Sequence, residues 1–157
     1  MKMKLLPLVL AALLPLVPFT RTACADDKIE VKFTAVDGRE VDLAKLKGKV
    51  VLIDFWATWC GPCVGEVPHV LEAYKKFHDK GFEIIGISLD RDKNLLTSFI
   101  RERGMAWPQS FESSNALADK FGISSIPAMW LVDKEGKVAT KNARENLAGQ
   151  VEKLLGK

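Results

Sequence analysis

Histidine and cysteine are scarce in this chain of 157 residues, with two of the first and three of the second. The scarcity excludes several classes of protein. A closed zinc site takes four such side chains, and His69 and His78 do not stand at a finger's spacing from Cys60 and Cys63, so no metal is expected. A scaffold stapled by several disulfides needs more cysteine than this. Phosphate-loop, dinucleotide and haem-attachment patterns are absent, so no cofactor is predicted. Excess charge is also small, with 23 Lys plus Arg against 20 Asp plus Glu. No repeat, low-complexity tract or internal linker interrupts the chain, whose length suits one domain with a true core.

The one long apolar run stands at the start. Lys2 and Lys4 precede an apolar stretch over residues 5–19, and Ala23-Cys24-Ala25 follows as a small-residue cleavage site. This pattern predicts a signal peptide over residues 1–25, cut near Ala25, and a single domain over 26–157 that is periplasmic or secreted. The alternative is an uncleaved membrane anchor. A span wants about 20 apolar residues, and Pro7, Pro15 and Pro18 interrupt this one. Arg21 argues against a lipoprotein cut at Cys24, where such sites carry an aliphatic residue. Without the leader, Lys2, Lys4 and Arg21 are gone and basic and acidic residues balance. That argues against nucleic acid as a partner. Cys24 goes too, leaving Cys60 and Cys63 alone in an oxidising or contested redox setting.

Along the rest of the chain, residues 29–36 alternate and end at Asp37-Gly38, a hairpin signal before Glu40-Val41. A short polar connection fills 43–49. Residues 49–57 form a continuous apolar run, as in a central strand covered on both faces. Val64, Val67, Val70, Leu71, Tyr74 and Phe77 recur at helical spacing over 63–80, and Gly81 stops them. A second buried strand is predicted over 82–89. A helix follows over 95–103, with Asp92 or Asn94 as cap and Gly104 as stop. A short helix over 116–121 ends at Gly122, a hairpin joins 128–132 to 137–140, and an amphipathic helix closes the chain over 144–155. Such an order implies a mixed central sheet with helices on both faces.

The strand over 49–57 runs directly into Cys60-Gly61-Pro62-Cys63 at the mouth of the first helix. Unpaired N–H groups and the helix dipole stabilise an anion there, which favours a thiolate at Cys60. Cys63 lies one turn in, within disulfide reach. Two such thiols make a reversible two-electron couple. A purely structural bridge is the bland alternative, but closing so short a loop adds only roughly 2 kcal/mol in the chain-entropy account. Asp54 stands in the apolar strand, where an ionised carboxylate is costly, so its pKa should be raised. Glu66 lies one turn past Cys63. Its alternative reading is a solvated acid in the first turn that suits the helix dipole. Asp90-x-Asp92-x-Asn94 mimics the start of a calcium loop, but Leu95 and Arg101 stand where Gly and Glu are required, so it reads as a strand end and helix cap. Trp107, Phe111 and Trp130 read as core or lid aromatics, and the two histidines as surface residues.

Asp54-Phe55-Trp56-Ala57-Thr58-Trp59-Cys60-Gly61-Pro62-Cys63, followed far downstream by Phe121-Gly122-Ile123-Ser124-Ser125-Ile126-Pro127, closely resembles the thioredoxin fold family. Glu66-x-Pro68 and the exported context are similar to its TlpA/ResA-type branch of envelope thiol-disulfide oxidoreductases. The resemblance covers residues 29–155. It implies an α/β thioredoxin fold with a central mixed β-sheet flanked by helices, an N-terminal hairpin and a strand-helix insertion between about 91 and 113. It implies Cys60 as attacking nucleophile, Cys63 as resolving thiol, and a cis peptide before Pro127 that faces the two sulfurs. Trp59, Gly61, Pro62, Ile126 and Pro127 would then border the substrate. Asp54 matches the buried aspartate of thioredoxins and Glu66 a glutamate of the TlpA/ResA branch, so either carboxylate is a candidate for proton transfer. The Gly-Pro pair resembles that of reducing thioredoxins. Pro62 lacks an N–H that could stabilise a thiolate, which favours the disulfide form and makes the dithiol a better reductant.

The partners implied are protein disulfides, with apocytochrome c, a misbridged envelope protein or a general pool left open. An upstream electron donor is also implied, a membrane thiol-disulfide transporter being one candidate, and the chain is expected to be a monomer. Two rival readings are a peroxidase of the peroxiredoxin type and a non-catalytic peptide-binding module. The first lacks the Pro and Ser/Thr shell ahead of its cysteine, since Trp56 and Thr58 occupy those places. The second predicts that Cys60 is dispensable.

Overall fold

A computed structural model describes residues 29–111 and 114–156. The expected leader and cleavage site near Ala25 lie outside the described residues, as do two positions, 112 and 113, at the end of the insertion. Among the described residues no helix is long and apolar enough to cross a membrane.

A five-stranded mixed sheet forms the centre. Its apolar run becomes β3 (Val50–Trp56), buried at every residue, and β4 (Phe82–Ser88) lies parallel beside it. On the other side β6 (Ala128–Val132) and β7 (Val138–Thr140) extend the sheet antiparallel, and the outer edge beyond β4 is β5 (Gln109–Phe111), parallel to it. A separate two-stranded ribbon pairs β1 (Lys32–Thr34) with β2 (Glu40–Asp42). Its turn carries Gly38 at φ +87°, which glycine adopts without steric cost.

Strand alternation sorts the core into two faces. Val50, Leu52 and Trp56 meet Cys63, Val67, Val70, Ala73 and Phe77 of helix α1 (Gly61–Phe77). Leu96 of α2 (Lys93–Arg103) and Leu147 and Val151 of α4 (Leu147–Leu155) join that face. Val51, Ile53 and Phe55 point the other way, towards the ribbon and α3 (Ala116–Lys120). There Phe55, Phe121 and Trp130 form three edge-on ring pairs with centroids 5.7–6.0 Å apart. Phe55, the fully buried member of the three, contributes about 1.5–3 kcal/mol.

Several boundaries differ from the sequence pattern: α2 begins at Lys93, because Asp92 is its cap, and α1 ends at Phe77, ahead of a 3-10 turn over His78–Lys80. The first helix begins at Gly61, because Cys60 caps it. The closing helix begins at Leu147, because the Asn146 side chain accepts from Gly149 N–H at 3.1 Å and starts the helix there, leaving Arg144–Asn146 in a 3-10 turn. The expected strand over 29–36 keeps only Lys32–Thr34 in a ladder. The edge strand β5 has no signal in periodicity. It is three residues long and carries Gln109 and Ser110, both buried.

Candidate functional site

Ala57, Thr58 and Trp59 turn the chain from β3 into α1. Cys60 N–H bonds back to Ala57 O at 3.2 Å. Thr58 is tied across to the end of β4. Its N–H donates to both oxygens of Asp90 at 3.2 and 3.1 Å, and its Oγ1 donates to Asp90 Oδ1 at 2.6 Å. Ser88 Oγ donates to the other oxygen, Oδ2, at 2.8 Å. Asp90 is only 3% exposed, so these bonds are what make its burial tolerable.

Cys60 is the N-cap of α1, and its Sγ accepts from Cys63 N–H at 3.3 Å. A cap normally uses an oxygen; here the sulfur stands in that place, where a thiolate would meet the same donor and the helix dipole. Cys60 and Cys63 form a disulfide, with Cα atoms 5.2 Å apart. Cys60 is 6% and Cys63 3% exposed, so the bond is reached through a narrow opening and its first residue is slightly the more open.

The Ile126–Pro127 peptide is cis. The Ile126 carbonyl oxygen lies 3.8 Å from Cys60 Sγ, so the loop before β6 and the helix mouth are adjacent. Trp59 stands 66% exposed, Gly61 and Pro62 are exposed, and Ile126 and Pro127 are half-buried. Ile126 packs against both core faces, so it is less a free wall than Trp59.

The two carboxylates have opposite surroundings. Asp54 faces the α1 side of β3, in register with Gly86 and Met129. It is buried, and no described residue donates a hydrogen bond to it. Desolvation, then the nearby charge of Glu66, push its pKa up to about 7. Burial also pushes Glu66 up, but hydrogen bonds from Arg144 and His69 outweigh it and hold the group below its ordinary value. Arg144 Nε donates to Glu66 Oε1 at 2.7 Å, and His69 Nδ1 lies 3.3 Å from Oε2. The solvated-acid alternative for Glu66 does not describe it: its side chain is only 17% exposed and paired on both oxygens. Likewise His69 is a surface residue, but one engaged with Glu66.

Sequence reasoning missed Asp90, Arg144 and Gln109. Asp90 reads in the sequence as the end of a strand, and it does stand just past β4, but nothing in the sequence ties it to Thr58. Arg144 lies 78 positions from Glu66, and nothing in helical spacing pairs them.

The Redoxin family model matches residues 22–155. The thiol-disulfide oxidoreductase ResA of Bacillus thuringiensis (strain Al Hakam) is 34% identical over 124 residues, covering 79% of this chain and 72% of the relative. The thioredoxin domain of a thiol-disulfide oxidoreductase from Bacteroides vulgatus superposes with a TM-score of 0.75 at 33% identity, covering 85% of this chain and 99% of the other. A thiol:disulfide interchange protein from Bacteroides sp. gives 0.73 at 32% identity, covering 86% and 91%. With a helix-capping disulfide on a thioredoxin fold and these relatives, the chain belongs to the Redoxin family, as a thiol-disulfide oxidoreductase of the ResA type.

Proposed function

We propose that this oxidoreductase works outside the cytoplasm and reduces protein disulfides through Cys60 and Cys63. The observation that carries the reading is the sulfur cap: Cys60 Sγ receives a helix N–H and borders the Ile126 carbonyl, beside exposed Trp59. The cycle starts from the dithiol. Cys60 thiolate attacks one sulfur of a substrate disulfide, forms a mixed disulfide, and the other substrate sulfur leaves and takes up a proton. An extended substrate segment lies along the rim of Trp59, Gly61, Pro62, Ile126 and Pro127. Cys63 then gives its proton to the Asp54 carboxylate and attacks Cys60 Sγ. The second substrate sulfur leaves and is protonated. The protein ends as the disulfide, two electrons poorer, and the substrate as two thiols.

Asp54 suits the proton step because a pKa of about 7 lets it accept and release a proton near neutrality. Pro62, without an N–H, supports the reducing direction. The leader supports export. A membrane thiol-disulfide transporter is the class of donor that returns electrons to an exported dithiol, and apocytochrome c belongs to the class of substrate.

The test is reduction of an accessible protein disulfide by the mature chain. Cys60→Ala should abolish turnover with the fold intact, and Cys63→Ala should accumulate a mixed disulfide that can be isolated with its partner. Undiminished turnover in Cys60→Ala would sink the mechanism.

A further inference from the structure

The sequence offers two carboxylates for one proton step, and the fold treats them unequally. Glu66 and Arg144 both line a groove of about 590 Å³ between α1 and the 3-10 turn ahead of α4, and they are bonded to each other there. Arg144 reaches this place because the helix does not begin until Leu147. Both oxygens of Glu66 are then occupied, Oε1 by the guanidinium at 2.7 Å and Oε2 by His69 at 3.3 Å. A charge-assisted bond of that length holds the ionised form. Asp54, on the strand beneath, has no such partner among the described residues and meets only the repulsion of Glu66.

We propose that Arg144 is a positioning residue that clamps Glu66 as a fixed anion, takes it out of proton exchange with the dithiol, and thereby leaves that exchange to Asp54. The inference rests on the proton step assigned to Asp54 above. The charged and titratable groups around Glu66 are His69 on its own helix, Arg144 opposite and Asp54 below, with Glu72, Lys76 and Glu145 lining the same groove. Arg144 is the cation of that set bonded to the carboxylate. Its side chain is 48% exposed, so replacing it opens no core.

The experiment follows the Glu66 carboxyl by ¹³C NMR across pH in the wild type, Arg144→Gln and Arg144→Lys. In parallel, single-turnover decay of a Cys60-linked substrate is measured in Asp54→Asn, in Asp54→Asn with Arg144→Gln, and in both with Glu66→Gln added. Arg144→Gln should raise the Glu66 midpoint by about one pH unit or more, and Arg144→Lys should restore much of the fall. Freed Glu66 should then exchange the proton, so Arg144→Gln should recover several-fold of the decay lost in Asp54→Asn. Glu66→Gln should abolish that recovery. An unmoved Glu66 midpoint overturns the clamp. A moved midpoint without recovery overturns the division of labour. Full decay in Asp54→Asn alone removes the proton step from Asp54, and this part of the proposal with it, while the Glu66 midpoint still decides the clamp.

Discussion

A buried carboxyl without a hydrogen-bond donor destabilises the fold when it ionises, and Asp54 has no such donor among the described residues. Its pKa is about 7 in the folded protein and near 4 in an unfolded chain. Between those values the folded state holds a proton that the unfolded state has lost. Stability therefore falls as pH rises from about 4 through 7 and is level above that. Asp54→Asn cannot ionise, so it should stabilise the oxidised protein little at pH 4 and most at pH 8, by up to about 4 kcal/mol. Denaturant unfolding at several pH values measures this, and a gain independent of pH would refute the ionisation account. At this scale much was legible. Cys60 and Cys63 stand out by motif, and Asp54 by being charged inside an apolar run. The pairing that distinguishes Glu66 from Asp54 was not legible, because Arg144 approaches through tertiary packing.

Loops inherit their shape from the elements that hold them. The turn over residues 57–59 has no regular ladder of its own, yet Asp90 gives Thr58 three hydrogen-bond contacts and Ser88 a fourth. Asp90 follows β4, and Asp92 caps α2, so one short segment fixes both the start of the insertion and the approach to Cys60. In Asp90→Asn an N–H₂ group must face the Thr58 backbone N–H, a fixed donor that contacts both carboxylate oxygens. The expected cost is roughly 1–3 kcal/mol. Turnover should fall as well, because the Thr58–Trp59 turn that presents Cys60 loses its anchor. Unfolding free energy and disulfide-reduction rate are the two readouts. Wild-type values for both would mean the cluster holds nothing in place. The long elements here, β3, α1, β4 and the β6–β7 hairpin, follow from apolar spacing and glycine stops. Edge strand β5 does not, since its buried residues include polar Gln109 and Ser110, which depend on neighbours far along the chain.

Gly86 shows how that edge joins the rest of the molecule. Asp54, Gly86 and Gln109 stand in one row across β3, β4 and β5. With no side chain at Gly86, Gln109 lays its carboxamide over the strand and accepts from Trp56 Nε1 at 2.9 Å. A Cβ on Gly86 would fall 1.8 Å from Gln109 Oε1 and 2.5 Å from its Cδ. The backbone of β5 also receives Val36 N–H on Gln109 O at 2.9 Å, so the N-terminal ribbon, the insertion and the strand leading to Cys60 meet at this residue. Gly86→Ala should therefore displace a buried amide and strip Trp56 Nε1 of its acceptor, at roughly 1–3 kcal/mol for the unsatisfied donor alone. Gln109→Ala removes the same hydrogen bond but leaves room above Gly86. A methyl group added there afterwards meets no amide and partly fills the space. Gly86→Ala should thus cost clearly less in the Gln109→Ala background than in the wild type, a coupling that a double-mutant cycle of unfolding free energies reads directly. Equal costs in the two backgrounds would mean that the methyl group is accommodated without moving Gln109, and that the insertion is joined to the active-site strand by the backbone ladder rather than by this side chain.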